Sequence, residues 1–195
     1  CVGSGECRKR IAPLISHALG EDFRIRAESC GLKDDGGTCS FKLYPSRPYR
    51  AEYGVAKAVK ENESVSGDNY SVLELRNGRY LLFLSDGMGC GRRAAKQSSA
   101  AISLLKQLME VGFSQELAVR TANSILVLNS PEESFATLDL FIFDQYSAQA
   151  ELIKIGSSPS FLKRNDQIKT IKFNSLPIGI LNNLEFCSIK PQLQD

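Results

Sequence analysis

Between Ser66 and Gly91 the chain reads SGDNYSVLELRNGRYLLFLSDGMGCG, and the side chains there that can do chemistry are Asp68 and Asp86. Arg76-Asn77-Gly78 is turn chemistry between two apolar, alternating runs, which predicts a β-hairpin. With a three-residue loop and Gly78 in the left-handed conformation, Leu75 pairs with Arg79 and Asp68 falls opposite Asp86. Side chains so opposed on one face stand about 4.5 to 5.5 Å apart at Cβ. A two-residue Asn-Gly turn would instead send the carboxylates to opposite faces, unless a bulge restored the alignment. Two adjacent carboxylates both stay ionised only with a cation between them, or else one keeps its proton. Oxygen-only ligands suit Mg²⁺ or Mn²⁺, and Gly87, Gly89 and Gly91 leave the backbone bare, so a main-chain carbonyl can approach an ion without a Cβ in the way. Cations held this way polarise phosphoryl oxygens and acidify bound water, so phosphate hydrolysis is the natural reaction class. The competing reading makes both aspartates ordinary turn residues.

Other chemistry is poorly supported. Gly89 to Ala94 matches the G-x-G-x-x-A dinucleotide fingerprint, but a second helix is expected where that fingerprint needs a strand carrying an acid. His17 is the only histidine and sits among Leu14, Ile15 and Leu19, which suits a packing role better than a Ser-His-Asp or Cys-His scheme. Cys1, Cys7, Cys30 and Cys39 form no C-x-x-C pair, so reduced, partly buried thiols are expected rather than a zinc or disulfide cluster. Arg92 and Arg93 read as solvated charges at a helix start.

The elements that must position the aspartates follow from periodicity. A helix is expected over 8–28, a strand over 40–44, and β-type patterning over 49–60, 69–75 and 79–85. Two helices follow, over 91–112 and from an N-cap at Ser114 to the Ser130-Pro131 break. Short strands are expected at 134–143, 150–155, 161–163, 167–173 and 184–189, separated by turn residues. Consecutive strands without intervening helices favour antiparallel pairing, so the fold class is α+β, with the helix pair on an outer face. Residues 1–48 read as a helical, cysteine-rich appendage or linker and 49–195 as the main domain.

Lys and Arg total 24 against 22 for Asp and Glu, a net charge of +2 among 195 residues, too little for an electrostatic footprint on nucleic acid. The apolar runs are far shorter than the roughly 18 residues of a membrane span, so no membrane contact by this segment is expected. The chain begins at Cys1, which reads as a segment of a larger protein.

The ordered motifs SGD (66–68), SDGMG (85–89), SxxTLD (134–139), KIGSSPSF (154–161) and LPIGI (176–180) resemble the phosphatase module of the stage II sporulation protein E family, metal-dependent serine/threonine phosphatases of type 2C. The resemblance implies an antiparallel β-sandwich flanked by helices, and two Mn²⁺ or Mg²⁺ ions bridged by water. It assigns Asp68 as the first metal-ligand aspartate, Asp86 as the bridging one, both at the catalytic centre, and the Gly87 carbonyl as a metal ligand. Thr137, Asp139 and the GSSPS loop match positions read as structural. The family's later SDG motif and final acidic segment are not in this chain, and Asp139, Asp144 and Asp166 do not match them. The C-terminal strands are therefore expected to be missing, and the fragment itself weakly active or inactive. The implied substrate is a phosphorylated anti-sigma factor antagonist, a STAS-type protein whose dephosphorylation activates a sporulation sigma factor. The implied setting is a cytoplasmic domain of a membrane-anchored parent, with self-association possible. The rival reading is a non-catalytic oligomerisation or docking module. The helix beginning near Gly91 lies four residues from Gly87, so its displacement would move a metal ligand.

Overall fold

The computed structural model describes residues 7–30, 39–61, 63–129, 135–191 and 193, grouped in two compact units, Cys1–Arg50 and Ala51–Asp195. In the first, a π-helical turn Cys7–Ile11 leads into α1 (Ala12–Leu19), followed by an antiparallel pair, β1 (Phe23–Cys30) and β2 (Cys39–Pro45). The helix expected over 8–28 stops at Leu19. Gly20 adopts φ 71° and donates its N–H to the Ser16 carbonyl, a left-handed stop that non-glycine residues resist. Phe23-Arg24-Ile25-Arg26 then alternates with a period of two and forms a strand. Ala12 and Ile25 pack with Ile11, Phe41 and Leu43 in a small core. Cys1, the expected loop over 31–37 and the Ser130-Pro131 break lie outside the described residues.

In the second unit the order is β3 (Asp68–Glu74), β4 (Arg79–Asp86), α2 (Gly91–Glu110), α3 (Gln115–Asn129), β5 (Leu138–Asp144), β6 (Ala150–Ile155), β7 (Ser160–Arg164), β8 (Gln167–Ile171) and β9 (Cys187–Ile189). Antiparallel pairing gives one five-stranded sheet, β3-β4-β5-β6-β9, and a separate β7-β8 pair, an α+β arrangement. The β patterning read over 49–60 forms no strand. Tyr53, Val55 and Val59 remain about half exposed, so those positions find no common buried face.

One face of the sheet carries the core. Leu81 and Phe83 of β4, Leu138, Leu140 and Ile142 of β5, and Ile153 and Ile155 of β6 cluster with Ala101, Ile102, Leu105 and Met109 of α2 and Ala118, Val119 and Ala122 of α3. Each large aliphatic buried there contributes about 1.5 to 3 kcal/mol, so the layer is held by its middle. The ends of β4 and α2 are thereby free to be shaped by polar contacts. α2 buries Ala94, Ser98, Ala101, Ile102, Leu105 and Met109 at spacings of three and four, and turns out at Gly112, φ 94°. Ser114 caps α3, its Oγ accepting the Leu117 N–H at 3.3 Å.

Candidate active site

The β3-β4 register runs from Glu74 opposite Tyr80 to Asp68 opposite Asp86. It is the register of a three-residue loop: Leu75 N donates to Arg79 O at 2.8 Å, Gly78 N to Leu75 O at 3.1 Å, and Gly78 has φ 81°. A Cβ on Gly78 would also lie 2.3 Å from the Tyr146 ring, so the glycine is required twice over.

The two carboxyl groups therefore meet at the open end of the hairpin. Burial pushes the Asp86 carboxyl above its ordinary value, and the charge of Asp68 and a hydrogen bond with it push the same way. Ser66 Oγ donates to Asp68 Oδ2 at 3.1 Å and accepts the Asp68 N–H at 3.2 Å, which orients that carboxylate. Asp86 is held from the other side by Thr137, the residue before β5. Its N–H donates to Thr137 Oγ1 at 3.0 Å, its carbonyl accepts the Thr137 N–H at 2.8 Å, and Ser85 Oγ donates to the Thr137 carbonyl at 2.7 Å.

The glycines next to the aspartates make a hollow lined with oxygen. A Cβ on Gly67 would lie 3.2 Å from the Gly87 carbonyl oxygen and 3.3 Å from Asp86 Oδ1, so both oxygens converge over its bare Cα. Two carboxylates and a carbonyl are the donor set of a hard divalent cation, and these residues fit one. Gly87 is itself under α2: a Cβ there would lie 1.9 Å from the Ala94 carbonyl oxygen. The first turns of α2 are tied to β3 by Asn69 Nδ2, which donates to Ala95 O at 2.9 Å and Ser98 Oγ at 2.7 Å. Ser98 Oγ donates to Gly67 O at 2.5 Å.

The other three aspartates weighed in the sequence sit elsewhere. Asp139 pairs with Lys154, Asp144 caps the turn after β5, and Asp166 lies in the β7-β8 turn. Among the described residues no group of three or more His, Cys, Asp or Glu side chains could hold a metal. The chain thus brings together Asp68, Asp86 and the Gly87 carbonyl. Gly89 to Ala94 leads into α2 and then α3, with no strand between, which removes the context of a dinucleotide site. The sequence assigns no role to Asn69 or Ser98, and Lys154 enters it only as the first residue of the KIGSSPSF motif; the structure sets that lysine in register with Asp139.

The family model described as Stage II sporulation protein E matches residues 76–195. The chain is 41% identical over 194 residues to the stage II sporulation protein E of Priestia megaterium, and 39% identical over 192 residues to that of Bacillus subtilis. It covers 33% and 23% of those two proteins, so it spans at most about a third of the curated relatives it matches. It is also similar to the solved PP2C phosphatase domain with a fragment of the regulatory domain of the Bacillus subtilis cell fate determinant SpoIIE. The TM-score is 0.80 at 39% identity, over 98% of this chain and 55% of that one. The antiparallel α+β architecture is accordingly that of PP2C phosphatases.

Proposed function

The chain belongs to the stage II sporulation protein E family, and from that premise we propose that it carries part of a Mn²⁺- or Mg²⁺-dependent protein serine phosphatase. Its substrate would be a phosphorylated anti-sigma factor antagonist of the STAS type, whose dephosphorylation activates a sporulation sigma factor. Residues 49–195 form the phosphatase part, 1–48 the appendage, in a cytoplasmic domain of a membrane-anchored parent. The observation that carries the reading is the Asp68–Asp86 cross-strand pair beside the Gly87 carbonyl, an oxygen set suited to a hard divalent cation.

Asp68, Asp86 and the Gly87 carbonyl would hold metal, and further acids from the complete domain would finish a two-ion centre. A divalent cation so held supplies a polarised phosphoryl oxygen and an acidified water. The chain's own residues do the positioning. Ser66 orients Asp68, and Thr137 holds the main chain of Asp86 by two hydrogen bonds. Gly87 presents its carbonyl from beneath Ala94, so α2 and the ligand move together if either moves.

The test is phosphate release from a phosphoserine STAS-type protein by the complete protein with Mn²⁺, beside Asp86→Asn. Mn²⁺-dependent release that Asp86→Asn abolishes supports the reading. Equal release by both proteins removes Asp86 from the catalytic centre, and none by the wild type sinks the reading in favour of a docking role.

A further inference from the structure

One row away from Asp86, on the β5-β6 pair, lies a charged cluster that the proposed chemistry does not use. Asp139 is opposite Lys154 in register. The Lys154 side chain is only 1% exposed and its partner 16%, and Nζ donates to Asp139 Oδ1 and, at 2.8 Å, to Ser160 Oγ. Ser157 Oγ donates to the same Asp139 oxygen at 2.8 Å. One ion pair therefore grips Ser157 in the connection from β6 to β7 and Ser160 where β7 begins.

A bare lysine at that depth would be costly, and a buried ion pair is often no more stabilising than apolar residues of similar volume. Stability alone is thus a weak account of it. What the cluster does geometrically is specific. Asp139, in β5, lies two residues on from Thr137, which holds the main chain of Asp86. The loop reaches the site by a second path. Gly156, at φ 62°, donates its N–H to Ser175 Oγ at 2.9 Å, and a Cβ on it would lie 2.7 Å from Pro177. The next residue, Ile178, bonds both ways with Ala136, at 3.2 and 2.9 Å, and Ala136 bridges to Gly87.

We propose that the Asp139–Lys154 ion pair is a positioning clamp for the candidate metal centre, setting β5 under Asp86 and the 156–160 loop, with the 175–178 segment against it, beside Gly87. The proposal rests on the reading of Asp68, Asp86 and Gly87 as metal ligands. Lys154 and Asp139 are positioning residues in it, and neither touches metal or substrate.

The experiment is a calorimetric Mn²⁺ titration of the complete protein, with a thermal melt of the metal-free form. The double variant Asp139→Leu/Lys154→Met removes the clamp while filling its volume. The expected result is a dissociation constant for Mn²⁺ raised about tenfold, the usual cost of losing support behind a metal ligand. The melting midpoint should stay near that of the wild type, as apolar replacement of a buried pair allows. If the double variant does not fold, Ser157→Ala decides: it unties the loop from Asp139 and leaves the ion pair whole, and a smaller rise in the same direction is expected. Unchanged Mn²⁺ affinity in whichever folded variant decides overturns the clamp. A wild type that takes up no Mn²⁺ overturns the metal-site reading, and the clamp with it.

Discussion

Asp86 and Asp144 close opposite ends of the β4-β5 pair, Asp86 where β4 stops and Asp144 where β5 stops, opposite Arg79. Burial raises the proton affinity of both carboxyl groups. At Asp144 that rise is overcome by the N–H groups of Tyr146 and Ser147, both donating to Oδ1 at 2.9 Å, with the Ser147 hydroxyl and Arg79 adding to the effect, so the group ends below its ordinary value. At Asp86 the nearest charged neighbour is another carboxyl, and the group ends above it. The same sheet thus surrounds the aspartate at its hairpin end with donors, where a turn must be held, and sets the one at the other end beside a second carboxyl.

The sharpest way to break the contrast is Asp86→Asn in the complete protein. The expected loss of Mn²⁺-dependent phosphatase activity is on the order of 10³-fold, the scale of losing a principal electrostatic group, read as phosphate release at saturating substrate. Next is Gly87→Ala, whose new methyl would meet the Ala94 carbonyl oxygen. It is expected to cost about 3 kcal/mol in denaturant unfolding, as overpacking against backbone does, and to abolish activity as well.

At the hairpin end the effect is smaller and depends on pH. Asp144→Ala is expected to cost about 1 kcal/mol at neutral pH, after allowing for solvent screening of a partly exposed group. Because the folded pKa of Asp144 lies below the ordinary 3.8, its contribution is fully present above that value. It is lost as pH falls through the folded pKa, so wild type and variant should converge in strong acid. A constant gap down to that acidity would show that the carboxylate's hydrogen bonds are not its source. The smallest effect on stability is expected from Asp68→Asn, which removes like charge next to Asp86 and should raise the melting temperature of the metal-free protein while weakening Mn²⁺ binding. A lowered melting temperature would show that the pair is not in mutual repulsion.

The hairpin was legible because Asn77-Gly78 allows few loops and each fixes a register, so two candidate pairings exhausted the possibilities for Asp68 and Asp86. The two long helices were legible because their apolar stripes run uninterrupted, from Ala94 to Met109 in the first case. The first helix is shorter than predicted because its apolar spacing ends at Leu19, Gly20 stops it in the left-handed conformation, and Phe23 and Ile25 alternate as a strand does. What holds the site was harder to see. Asn69 and Ser98 act across 29 residues and Asp139 and Lys154 across 15, and a lone polar residue on a strand or helix carries no mark of the distant partner it will find. Local pattern fixes which residues share a face, whereas polar ties between elements depend on how those faces come together.

Gly67, Gly87 and Ala94 form a point where three chain segments come nearly into contact, with Ala94 Cβ 3.0 Å from where a Gly67 methyl would be and its carbonyl 1.9 Å from where one on Gly87 would be. In a library in which every residue is replaced by all others, these small, chemically mute positions should be depleted as severely as the aspartates, with Gly67 the most forgiving. Their intolerance would come from crowding alone, and enlarging any one of them could be offset only by removing bulk elsewhere at the same crossing.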